Sequence, residues 1–252
     1  MPGPGARELL EAWEGGLSRS PTRRALTLLA ASSPGTPLSE LAGLPTGTRD
    51  LGLLRLRSEL FGDRVEAVCS CPACGEQLDA CFDARELLQD EPAAPAPTRQ
   101  LTLHGERVIV RAPSSLDLLA VAGEPDIAAA RRALLRRCLA GAGPGDGPET
   151  AAPLPAEFAG DLPDDLAEEL VTQIAALDPR ASIELDLTCA ACGHAWPAVF
   201  DIASFLWAEI NAWARRTLRD VHAIASAYGW HEADILAMSP LRRQCYLELV
   251  RS

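Results

Sequence analysis

The residues here whose type and spacing could do chemistry are cysteines. The segment E-A-V-C-S-C-P-A-C-G-E-Q-L-D-A-C-F-D-A-R-E-L-L, Glu66 to Leu88, is echoed by E-L-D-L-T-C-A-A-C-G-H-A-W-P-A-V-F-D-I-A-S-F-L, Glu184 to Leu206. Laid over each other without a gap, the two place Cys71 on Cys189, Cys74 on Cys192, Gly75 on Gly193, Phe82 on Phe200 and Asp83 on Asp201. Two residues between cysteines let a tight turn aim both sulfurs at one ion, and a glycine straight after accepts positive φ. One such knuckle supplies two thiolates and a second completes a tetrahedral site, as in a zinc ribbon. The expected ligands are Cys71, Cys74, Cys189 and Cys192, with Zn2+ as cofactor, although tetrahedral all-sulfur geometry admits iron too.

Four thiolates close the coordination shell, so the expected metal is structural and its binding free energy is folding free energy. It would staple two segments far apart in sequence. A redox reading of C-x-x-C needs a strand–helix–strand setting that the pattern lacks. Cys69 and Cys81 flank the first knuckle without counterparts in the second and are expected to be buried thiols. Cys138 and Cys245 read as core, and His194 as a histidine on the knuckle's rim.

Each knuckle must be carried by strands and followed by a helix capped by Asp83 or Asp201. Helical periodicity marks Arg7–Ala31, the leucine-rich stretch after Thr48 or Asp50, residues 126–140 and residues 164–177. Arg99–Arg111 alternates around His104-Gly105 and predicts a β-hairpin, with Pro113-Ser114-Ser115 capping the next helix. A long helix from Ser204 to Gly229 has a stripe of Leu206, Ile210, Trp213, Thr217, Val221, Ile224 and Tyr228. A short helix and a last one launched by Ser239-Pro240 follow.

The fold class expected is therefore α+β, mainly helical: a zinc-ribbon knuckle pair, a small β-hairpin and a helical C-terminal tail. The divisions are a helical segment 1–65, a first knuckle 66–89, a Pro/Ala linker 90–98 and a hairpin with helices 99–140. A flexible loop 141–156, a helix with lead-in strand 157–183, a second knuckle 184–203 and the tail 204–252 complete it.

Composition bounds the function. The 252 residues carry a net charge of -12, which argues against a sequence-independent nucleic-acid binder. All 23 basic residues are arginine. No apolar run reaches membrane-spanning length and the opening residues lack a signal-peptide pattern, so a cytoplasmic protein is expected. No nucleophile elbow, zincin, P-loop or dinucleotide motif occurs, and the expectation is a non-enzyme without a small-molecule substrate. Trp207 and Trp230 lie off the main stripe and are candidate partner contacts, together with Arg242 and Arg243, because tryptophan and arginine dominate interface hot spots. The alternative reading is a cytoplasmic zinc-ribbon regulator whose last helices form a helix-turn-helix DNA-binding element.

The words L-P-T-G-T-R-D-L-G-L-L-R-L-R, C-P-A-C-G-E, R-A-P-S-S-L-D-L-L-A, F-D-I-A-S-F-L-W-A-E-I and I-L-A-M-S-P-L-R-R-Q complete this reading. With them the chain resembles the zinc-knuckle proteins of T4-type phage baseplates, and more closely those in gene clusters for extracellular contractile injection systems. The resemblance covers nearly the whole chain outside the two Pro/Ala/Gly-rich linkers. It implies a role in baseplate hub assembly, as an assembly factor or component, with baseplate or tail-tube/hub proteins as partners. The phage proteins it resembles usually carry one knuckle, whereas this chain carries two.

Overall fold

The computed structural model describes residues 3–89, 98–103, 105–142, 151–152 and 162–251. Four helices open the chain: α1 (Ala6–Gly16), α2 (Pro21–Ser32), α3 (Leu38–Gly43) and α4 (Thr46–Phe61). The first hairpin, β1 (Arg64–Ser70) and β2 (Gln77–Asp83), leads into α5 (Ala84–Gln89). A middle unit follows with β3 (Thr98–Leu103), β4 (Glu106–Arg111), α6 (Ser115–Val121), α7 (Ile127–Arg137), β5 (Leu139–Ala142), β6 (Ala151–Ala152) and α8 (Asp164–Leu177). A 3-10 turn (Pro179–Ala181) precedes the second hairpin, β7 (Glu184–Thr188) and β8 (Ala195–Val199). The chain ends in α9 (Ile202–Tyr228), α10 (Glu232–Leu236) and α11 (Pro240–Arg251). The fold is mainly helical with small antiparallel sheets, as the periodicities predict.

Two cores form. The larger gathers Leu9, Leu28, Leu53 and Leu54 of the N-terminal helices with Leu206, Ile210, Ile224 and Ile235 of the C-terminal ones. The C-terminal segment is thus not a projecting tail; it buries its apolar stripe against α1, α2 and α4. The stripe is Leu206, Ile210, Ala214, Thr217, Val221 and Ile224, so Ala214 takes the place expected of Trp213, and Tyr228 is exposed at the helix end. The second core packs Leu166, Leu170, Ile174 and Leu177 of α8 on Leu103, Val108 and Val110 of the sheet, with Leu135 and Cys138.

That sheet has the order β3-β4-β5-β6. Only its first hairpin is legible from alternation. β5, paired with β4 through Val108↔Gly141, Ile109↔Ala140 and Val110↔Leu139, replaces the expected helix end and the start of the expected flexible loop. Its L-A-G-A sequence has no strand signal; it is recruited because β4 would otherwise present an open edge of unpaired backbone groups. Most of the expected linker (90–97), His104 and residues 143–150 and 153–161 lie outside the described residues.

The helix after the N-terminal leucines begins at Thr46, earlier than the Thr48 or Asp50 expected, and α3 was not marked by the sequence pattern. The N-cap of α4 is Pro45, whose side chain offers no acceptor. Asp178 supplies it from the turn after α8, accepting the Gly47 amide at 2.7 Å and the Thr46 hydroxyl at 3.5 Å. The same seam carries a Pro45↔Ser114 bridge and an Arg49 Nη1 bond to Ser115 Oγ at 3.2 Å. At the other end of α4, Arg57 is 4% exposed. It donates to Gly62 O and Arg64 O, each at 2.7 Å, and to both carboxylate oxygens of Glu209 at 3.0 and 2.9 Å, fixing the root of β1 against α9.

Candidate metal centre

Both knuckles are hairpin tips of the same construction. In the first, Ser70↔Gln77 is the last strand pair. The Cys71 amide then donates to Glu76 O at 2.8 Å and the Gly75 amide to Cys71 O at 2.9 Å. In the second, Thr188↔Ala195 closes the ladder. Cys189 donates to His194 O at 2.8 Å and Gly193 to Cys189 O at 2.9 Å. Gly75 and Gly193 sit at φ of 78° and 74°, a left-handed conformation that a Cβ would strain. The expected glycine role holds at both positions.

The tips meet. Sγ of Cys71, Cys74, Cys189 and Cys192 all lie within 4.8 Å of one another. Cys71 Sγ is 3.8 Å from Cys192 Sγ, and Cys74 Sγ is 3.7 Å from Cys189 Sγ. A tetrahedron with metal–sulfur bonds of about 2.3 Å has edges of about 3.8 Å, so these separations fit one four-coordinate ion. Each knuckle contributes one buried sulfur (Cys71 at 2%, Cys189 at 1% exposure) and one exposed sulfur, Cys74 or Cys192.

Electrostatics points the same way. Desolvation resists ionisation of Cys71, but the Cys74 and Ala73 amides and the thiols of Cys74 and Cys192 outweigh it and lower it to about 7. Cys74 goes the other way, to about 12: the Glu76 amide favours its thiolate, yet Cys192, desolvation, Cys189 and Cys71 together hold its proton. Cys192 is also raised despite a bond from the His194 backbone. Cys71 thus loses its proton readily while Cys74 and Cys192 hold theirs, because thiolates this close repel unless a cation sits among them. The donor set and spacing suit a soft-ligand divalent metal that leaves no open position.

The other cysteines stay outside. Cys69 is half-buried and donates to Leu78 O at 3.7 Å. Cys81, expected buried, is exposed, because the period-2 alternation of β2 turns it outward with Gln77 and Asp79. Cys138 is buried as expected, and burial pushes its thiol up to about 11. Cys245, expected in the core, is exposed on α11. His194 stacks on Trp196 at 5.8 Å on the knuckle rim.

The four candidate partner residues lie away from the sulfurs, on α9, α11 and the loop after α9. Trp207 is half-buried, stacked under Arg24 at 4.7 Å and pressed on Gly16, where a Cβ would come 2.5 Å from the ring. Trp230 sits between Tyr228 and Tyr246, each 4.8 Å away. Arg242 is exposed, whereas Arg243 is 7% exposed and faces inward. Among the described residues, no helix is long and apolar enough to cross a membrane.

The family model described as T4 bacteriophage base plate protein matches residues 26–207, a span that contains both knuckles, the whole middle unit and most of α2. Comparison with curated proteins and with solved structures gives no match.

Proposed function

The chain belongs to the T4 bacteriophage base plate protein family, and from that premise we propose that it is a non-enzymatic component or assembly factor of the baseplate of a phage-tail-like contractile injection particle. A Zn2+ ion held by Cys71, Cys74, Cys189 and Cys192 would serve as a structural staple. The observation that carries the staple is the four-sulfur cluster drawn equally from two remote hairpins. A metal there closes a loop that holds the entire middle unit, which constrains the unfolded chain and ties together two hairpins whose roots, Val65 and Phe200 among them, lie in the larger core. Its partners would be baseplate or tail-tube/hub proteins, met in the cytoplasm where the particle is built. Deleting the gene from a producing cell tests this reading: particles with absent or malformed baseplates support it, and normal yield and morphology overturn it.

The helix-turn-helix alternative draws no support from the last helices. Arg243 is buried, and α11 offers Arg242 beside Leu241 and Leu249, which are 76% and 63% exposed, rather than a basic face.

A further inference from the structure

Arg243 is a buried cation that, among the described residues, has no acidic partner. Its Nη1 is enclosed and, among the described residues, has no hydrogen-bond partner. It lines a cavity of about 230 Å³ whose other walls include Leu9, Phe61, Trp213, Met238 and Pro240. Among the described residues, no carboxylate lines that cavity. A buried guanidinium without a counter-charge is costly, and a fold that retains one leaves a place where an anion gains more than it would in water.

A second feature converges on the same spot. Pro240 and Arg243 belong to the first turn of α11, a helix of 12 residues. Ser239 accepts the Arg242 amide at 3.3 Å there. The positive end of that helix adds to the positive potential of the guanidinium. The remaining walls are aliphatic and aromatic, and an apolar cavity of about 150 Å³ already holds a benzene ring. Charge at one end and apolar volume at the other define the chemistry of the occupant.

We propose that this cavity between α1, α4, α9 and α11 binds a carboxylate carried on an apolar group, with Arg243 as its ion partner. Two sources share that chemistry: the terminal carboxylate of a protein chain ending in an apolar residue, and a small free acid. The inference is independent of the metal centre and of the baseplate role.

Met238 makes the test direct, because it and Met1 are the two methionines of the chain. The full-length protein, labelled with 13C at the methionine methyls, is titrated with 3-phenylpropionate, with its neutral analogue 3-phenylpropanamide, and with a peptide ending in Leu-Phe as the free acid or the amide. The expected result is a saturable shift of the Met238 resonance by the acids, with the amides binding about tenfold or more weaker. Arg243→Leu and Arg243→Gln should both abolish the difference between acid and amide; the second keeps a polar, hydrogen-bonding end without the charge should the first disturb folding. Tighter binding by the peptide acid assigns the site to a chain end, and binding by phenylpropionate alone assigns it to a small acid. Equal binding of acid and amide, no saturable shift, or unaltered acid preference in both variants would overturn the proposal.

Discussion

Phe82 and Phe200, equivalent positions in the two repeated segments, meet edge to face with ring centroids 5.0 Å apart and planes at 84°. The sulfurs above them pair crosswise, Cys71 with Cys192 and Cys74 with Cys189. Residue i of one hairpin thus meets residue j of the other and j meets i, the self-complementary pattern of a two-fold interface built within one chain. Asp83 and Asp201 extend the equivalence: both accept amides at the start of the following helix, from Arg85 at 2.9 Å and Ser204 at 3.1 Å.

The aromatic pair should be separable from the metal. Phe200 is 9% exposed and also packs on Phe205 at 5.2 Å. Phe200→Ala should cost about 3–5 kcal/mol in denaturant unfolding while metal content per folded chain stays unchanged, because the knuckle turns alone aim the sulfurs.

Gly47 should tolerate no side chain. A Cβ there would run into the Asp178 carboxylate and come 2.8 Å from the Ala181 amide nitrogen, which is backbone and cannot yield. Gly47→Ala should therefore destabilise by about 1–3 kcal/mol. Burial pushes Asp178 upward although the Gly47 amide and Thr46 hydroxyl favour its charged form. Asp178→Asn, which keeps an acceptor, should cost much less than the loss of the cap in Asp178→Ala, about 0.5–2 kcal/mol. Denaturation midpoints of the three variants check the order.

Much of this was readable from residues. The repeat, the cysteine spacing, the two Asp caps, the Ser239-Pro240 start and the stop at Gly229 act locally, so sequence shows them. The Asp178 cap is not local. Its partner Gly47 is 131 residues away, and the only hint is a proline in the N-cap position. β5 is invisible for a similar reason: its strand character comes from the β4 edge and not from Leu139–Ala142 itself. The inward turn of Arg243 depends on how α11 docks, which its exposed and buried arginines in succession do not reveal.

Acid should unfold the middle unit through Asp117. Its carboxylate is 1% exposed. It accepts from Arg111 at 2.6 and 2.9 Å, from Arg137 at 3.0 Å, and from the Ser114 amide and hydroxyl at 3.0 and 2.7 Å. Burial opposes ionisation, but Arg111 and Ser114 overcome it and hold the group well below the usual carboxylate range. A carboxyl depressed on folding stabilises fully above its unfolded pKa of about 3.9 and loses that contribution as pH falls toward the folded value. Stability measured from about pH 5 downward should fall in the native chain. Asp117→Asn should be less stable at neutral pH and show a flatter acid limb.

The most direct test of the central claim is elemental analysis of the purified chain beside Cys71→Ser and Cys189→Ser. One cysteine from each hairpin is removed in turn, so a single shared ion must be lost in both variants. One zinc per native chain, none in either variant, and a lower melting temperature for both are expected. Metal retained after the loss of either cysteine, two ions per chain, or none in the native protein would contradict that claim.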